Sequence, residues 1–472
     1  MNAKKILLLI ATAILTTNSF AQCPGALTQA WEQPVSLPHE TMTCLHDRNG
    51  KTFLYVAGKE QGLLIYNISN INLPVLALTI PADSLGGLDV CSVWQEGNYL
   101  YLALGNQFSS NQHSGMAIVD VTQPATAQVT DVWQNNINGG GGIVRVQGNY
   151  AFLGAMTNGL IIFNISNPNN IQFVSQLIPD LSFPTANPDT AKYNARGMDI
   201  VGDILYLCFD AGGLRIINIH DKLNPVETGH YSLPFLNTHP RAYNNIIVDG
   251  ALAYVAIDYC GLEILNVSDT SNITQTGWWN PWDCATVNNN WFNSRGHANE
   301  LRLVKNCDLI FLTTGKSQVN VVDVSNSAAP DSCTMFGTQL DTLGTWGLDV
   351  WGSHIFVAYI YSPFGIPFLS NWAGVKMIEW DNSCDVSTQE LAVGNKQLAV
   401  YPNPASEKLI VSSTKSAVCI IEITDLLGRK IHSEKTNSQL SIINCQLFPP
   451  GIYFVYVKMA DGSFHSEKFV KE

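Results

Sequence analysis

Short apolar runs, each closed by a polar turn, recur along most of this chain. "GLLIYNISN" begins at Gly62, "GMAIVDVTQ" at Gly115, "GLIIFNISN" at Gly159 and "GLEILNVSD" at Gly261. Aligned on the Asn or Asp that ends each run, the copies fall at Asn67, Asp120, Asn164, Asn218, Asn266 and Asp323, with a degenerate copy at Glu379. A repeat of this length signals a solenoid or a propeller. Two strand-like stretches precede the run, such as "GLDVWG" (347–352) and "NYAFLGAM" (149–156), and a fourth follows it, such as "PVLALTI" (74–80). No segment carries a helical period. Four short strands joined by Gly, Asn and Pro turns make an antiparallel meander.

The runs are apolar at nearly every position, so both of their faces must be covered. A blade sandwiched between two neighbours meets that demand. Seven copies therefore predict an all-β, seven-bladed β-propeller over residues 22–390. The last copy, "GVKMIEWD" (374–381), lacks a following strand. "AWEQPVSL" (30–37) is a candidate to supply it and so close the ring. The Asn or Asp of each run is expected to cap the hairpin through its side chain. "GMAIVDVTQP" and "VNVVDVSNSAAP" resemble the LVIVD repeat, which implies a propeller in an exported bacterial protein and no particular activity.

Composition shifts after Glu390. A linker over 391–398 leads into strand signals over 399–472 that predict a small Ig-like β-sandwich. Four motifs stand there in order. They are "YPNPA" with Pro402, Asn403 and Pro404, "ITDLLGRKI" with Gly428, "PPGIYFVYV" with Gly451 and Tyr453, and "EKFVK" with Lys468. Together they resemble the C-terminal sorting domain of the type IX (Por) secretion system. The resemblance implies that machinery as a partner, removal of the tail, and release or attachment at the outer cell surface. At the other end Lys4, Lys5, the apolar stretch from Ile6 to Leu15, Ser19 and Ala21 read as a signal peptide over 1–21, too short to span a bilayer. No later stretch reads as a transmembrane segment.

Net charge is −13, and only 13% of residues are charged. An acidic chain suits neither nucleic acid nor an anionic lipid surface. Eleven cysteines in an exported chain imply disulfides. Their spacing suggests Cys307 with Cys333, Cys260 with Cys284, and Cys419 with Cys445.

No hydrolase, zinc-protease or phosphate-loop motif is present. The candidates for chemistry lie on the first strand of each blade, which lines a propeller's channel. One equivalent position reads Asp89, Asp199, Asn245, Glu300 and Asp349, with Ile143 in blade three. Oxygen ligands around one axis suit calcium, with Asp89, Asp199 and Asp349 as candidates. The other reading has these acids bonding the backbone of neighbouring blades. Arg196, Arg241 and Arg295 precede such strands and suit a carboxylate or a sulfated sugar. Trp278, Trp279, Trp282 and Trp291 fall in what reads as a long inter-blade loop, suited to a glycan or a protein partner. The expected function is thus a secreted or surface-attached, non-catalytic binding protein for protein or glycan ligands. The alternative is an extracellular polysaccharide hydrolase or lyase at the channel mouth, with Asp199, Glu300 or Asp349 as acid or base.

Overall fold

The computed structural model describes residues 23–472 apart from 109–110, 239–240, 285–295, 317–318, 339–341, 366–368, 382–397, 402–404, 406–407, 414–417, 427, 439, 460–463 and 472. The chain forms two compact units, Met1–Asp385 and Val386–Glu472.

The first unit contains seven four-stranded antiparallel sheets. Blade three is typical, with strands Ile143–Gln147, Tyr150–Gly154, Leu160–Asn164 and Gln172–Leu177 in spatial order. The innermost strand of each blade packs against that of the next, and blade seven meets blade one, which closes a ring. The third strands show why their runs are continuous: Leu160, Ile161, Ile162 and Phe163 are all fully buried. Ile161 and Phe163 pack on Tyr101, Met116 and Ile118 of blade two, while Leu160 and Ile162 pack on Leu205 and Leu207 of blade four. Each such side chain contributes about 1.5–3 kcal/mol through burial.

The polar end of each run builds the hairpin between strands three and four. Asn67, Asp120, Asn164, Asn218, Asn266 and Asp323 each accept, through the side-chain oxygen, the backbone N–H two residues on. In six blades the connection has one length, seven residues, at 68–74, 121–127, 165–171, 219–225, 267–273 and 324–330.

The ring closes as a clasp. Strand Thr28–Pro34 pairs with Gly374–Glu379 as the outer strand of blade seven. Trp31 is buried against Phe356, and its indole N–H donates to the Ile71 carbonyl. Lys376 binds Glu32 at 3.0 Å from inside the blade. Just before the clasp, Cys23 is disulfide-bonded to Cys333 on the outer strand of blade six. Cys333 therefore does not pair with Cys307, the partner its spacing suggests, because the closing strand brings a residue from the far end of the chain closer. Cys307 is itself disulfide-bonded. Cys260 pairs with Cys284, as the spacing suggests. Cys445 is a buried free thiol, so it has no bridge to Cys419.

The second unit stacks a sheet of Leu398–Tyr401, Lys408–Ser413 and Leu440–Asn444 on one of Lys430–Ser438, Val418–Asp425, Gly451–Met459 and Phe464–Lys471. Its core includes Leu409, Val411, Ile421, Ile423, Val455 and Phe469. Tyr453 stacks on Phe469, and its hydroxyl donates to the Pro449 carbonyl. Gly428 has φ +75°, which favours glycine in the turn, and Gly451 starts the strand that carries Tyr453. Lys468 is exposed, while Pro402, Asn403 and Pro404 lie outside the described residues.

Candidate ligand face and central channel

An antiparallel meander sends its first and third connections to one end of the ring, and its second connection and the link to the next blade to the other. The first end is more regular: five blades have two-residue turns, such as 148–149 and 202–203, and two have longer ones, at 47–52 and 305–308, beside the seven-residue hairpins. The second end is variable. Its connections run from 259–260 to 360–373 within blades, and from 139–142 to 280–300 between them. These loops expose Phe108, Ile178, Leu181, Phe235, Phe364 and Leu369, with Phe364 at 89%.

Trp346 lies at the centre of this loop face, 4% exposed. Phe108 meets it edge-on at 5.1 Å, His297 lies at 5.5 Å, and the Arg196 guanidinium lies over its ring at 5.6 Å. Arg196 also faces Asp210 at 4.0 Å. Burial pushes the Asp210 carboxyl up to about 6, against the opposing pull of Arg196 and Asn194. His297 and Asp258, both buried, approach to 2.5 Å. Below Trp346 lies a cavity of about 30 Å³, lined by Thr43, Ser92, Gln107, Asn245 and Glu300 among others. A space that size holds about one or two waters, not a sugar ring.

The channel acids do not share one level. Asn245, Ile143 and Glu300 do, since they face Ala256, Gly154 and Thr313, equivalent positions on the second strands. Asp199 and Asp349 sit two residues further on, opposite Tyr206 and Phe356. At that level blades three and six carry Arg145 and Arg302, opposite Phe152 and Phe311. Asp89 lies before the inner strand of blade two, where Gln112 and Asn106 donate to its carboxylate. The mismatch has a local cause. Asp199 and Asp349 stand close to the first turns of their blades, at 202–203 and 352–353, whereas Asn245 and Glu300 stand further from theirs, at 250–251 and 305–308.

Asp349 is fully buried. It accepts from the His46 backbone N–H at 2.9 Å, His46 Nδ1 at 2.6 Å, Arg48 Nη2 at 2.7 Å and Arg302 Nε at 3.2 Å. Burial alone would raise its pKa, but Arg48, His46 and Arg302 together hold it well below the usual carboxylate range. Asp199 accepts the N–H of Ile200 and, from the next blade, that of Val248. Two of the three candidate acids therefore bond a neighbouring backbone. Glu300 instead accepts from Arg302 Nη1 and from the Asn245 amide. Among the described residues no group of three or more His, Cys, Asp or Glu is placed to hold a metal ion.

The arginines and tryptophans named from sequence do not form one site. Arg241 donates to the carbonyls of Ala211 and Leu236 and so braces a loop. Trp278 and Trp279 lie not in a loop but on the outer strand Thr274–Trp279, where they donate to the Cys260 carbonyl and Ser332 Oγ. Trp282 packs edge-on against Trp279 at 5.1 Å. Arg295 and Trp291 lie outside the described residues. The sequence expectations passed over Arg48, Arg145 and Arg302, whose one signal was charge on an inner strand or, for Arg48, just after one.

A model of the LVIVD repeat matches residues 51–80, 87–128, 139–177 and 240–280, and one of the secretion system C-terminal sorting domain matches 399–472. This chain is an LVIVD-repeat β-propeller with a type IX sorting tail. The tail marks the protein for export by the type IX secretion system, to be released or held at the cell surface. No helix among the described residues is long and apolar enough to cross a membrane. A curated relative, the ulvan lyase NLR42 of Nonlabens ulvanivorans, is 29% identical over 90 residues, which cover 18% of this chain and 17% of that protein. The solved structure of PorZ, a surface component of the type IX secretion system of Porphyromonas gingivalis, aligns at 14% identity and TM-score 0.42 over 90% of this chain and 65% of that one. A chain of a mitotic checkpoint complex aligns at 10% identity and TM-score 0.48 over 80% and 98%. Neither reaches a TM-score of 0.5, and neither bears on function.

Proposed function

We propose that this exported LVIVD-repeat propeller is a non-catalytic binding protein that meets a glycan or protein ligand on its loop face. The observation that carries the reading is the contrast between the two ends of the ring. One end repeats the same hairpin length in six blades, while the other varies its loops and sets exposed Phe108, Phe235 and Phe364 on them. Binding sites concentrate on variable loops held by a rigid scaffold, and exposed aromatic rings are suited to sugars and to protein anchors. A glycan array and a cell-binding assay with Phe108→Ala/Phe364→Ala test it, with Leu73→Ala/Leu223→Ala on the opposite face as control. Loss of binding in the first variant alone supports the reading. Equal loss in both, or retention in the first, overturns it.

The short match to an ulvan lyase keeps polysaccharide cleavage as a second reading. Glu300 is then the acid to test, since Asp199 and Asp349 are committed to backbone bonds. Release of unsaturated or reducing ends from anionic polysaccharide, abolished in Glu300→Gln, would establish it.

A further inference from the structure

We infer that the channel carries a binding site for an oxyanion group, a sulfate or a carboxylate, at the level of Arg145, on the side of the cavity away from Trp346. Arg145 projects from the inner strand of blade three, two residues beyond Ile143, which lines the cavity. Its guanidinium lies over the Trp94 ring at 4.5 Å, and one nitrogen donates to the Val144 carbonyl at 3.0 Å. Its other donors have no carboxylate within ion-pair distance among the described residues, unlike those of Arg48 and Arg302.

The surrounding acids are already engaged. Asp349 is held by Arg48, His46 and Arg302, Glu300 by Arg302 and Asn245, and Asp199 by two backbone amides. Burial lowers the Arg145 pKa to about 10, with Glu300 and Asp199 opposing that effect and Arg302 and Arg48 adding to it. A second donor stands beside it, because the indole N–H of Trp94 is buried without an acceptor. A partly desolvated cation beside a buried N–H without an acceptor is costly unless an acceptor arrives. One oxyanion satisfies both groups, and a guanidinium suits sulfate and carboxylate alike. The site is within reach of solvent, since Arg145 and Trp94 are only partly buried and the Arg48 side chain is 38% exposed.

The test uses the mature chain and two probes, inorganic sulfate and glucuronate, titrated against chloride at constant ionic strength. Calorimetry and indole fluorescence should report saturable binding of at least one probe. Arg145→Met should abolish it, Trp94→Phe should weaken it roughly three- to tenfold, as expected for one lost hydrogen bond, and Arg241→Met on the other face should leave it intact. Without probe, Arg145→Met should unfold at a higher temperature than wild type, which a purely structural arginine would not allow. Absence of saturable binding, or binding unchanged in Arg145→Met, overturns the site, and the loop-face reading stands or falls separately.

Discussion

Four blades place a polar side chain where the repeat is otherwise apolar. Arg215, Glu263, Asn320 and Lys376 occupy one register on the third strands, opposite Leu207, Val255, Leu312 and Val357. Each is buried and has a polar partner, and that of Glu263, Tyr231, comes from the neighbouring blade. Glu263 has the clearest consequence. Tyr231 donates to its carboxylate at 2.7 Å and the Gln275 amide at 2.9 Å, yet burial outweighs both and raises its pKa to about 7, from a starting value of 4.5. Below about pH 4.5 folded and unfolded chains are both protonated there, and the site's contribution is complete. Between 4.5 and 7 only the unfolded chain gives up its proton, so stability falls as pH rises, and it levels off above 7. Glu263→Gln should remove this slope and gain about 2–3 kcal/mol over wild type at pH 8. Urea midpoints at pH 5 and pH 8 measure it, and an unchanged pH slope in the variant would refute the assignment.

Within an element, the hairpin and the opposing loop answer to different constraints. The Asn164 side chain caps its turn by accepting the Ser166 N–H at 2.9 Å. Asn164→Ala should cost about 1 kcal/mol, the net worth of such a bond. Phe364→Ala, at an exposed loop tip, should change stability by less than about 0.5 kcal/mol. Denaturant unfolding distinguishes them, and equal costs would mean that the two ends of the ring are not divided as described. The hairpins were legible because an Asn or Asp followed by Ser or Thr is local chemistry. The inner strands were not, because an acid's level is set by its distance from the first turn of its own blade, and that distance differs from blade to blade. Asp89, Asp199, Glu300 and Asp349 therefore read as one ring in the sequence but lie at three levels in the channel.

At the scale of the whole molecule, the Cys23–Cys333 bridge spans 310 residues and locks the clasp that Trp31 and Lys376 begin. Closing so long a loop in the unfolded chain is worth about 5–6 kcal/mol in the chain-entropy account. Cys333→Ser should lower unfolding stability by about 3–5 kcal/mol, read from the guanidinium midpoint, while Cys260→Ser, which opens a much shorter loop, should cost less. The reverse order would mean that the clasp holds without its bridge. By itself the sequence determined the blade number, the closing strand, the hairpins and the export tail, since each is written in a contiguous stretch whose period or motif needs no partner to be read. Only the tertiary structure decided which acids meet which arginines, that Trp278 and Trp279 belong to a strand, and that Cys333 pairs with the start of the chain. Those outcomes depend on how strands and blades register on one another, and that register is set by turn positions and by ring closure across hundreds of residues.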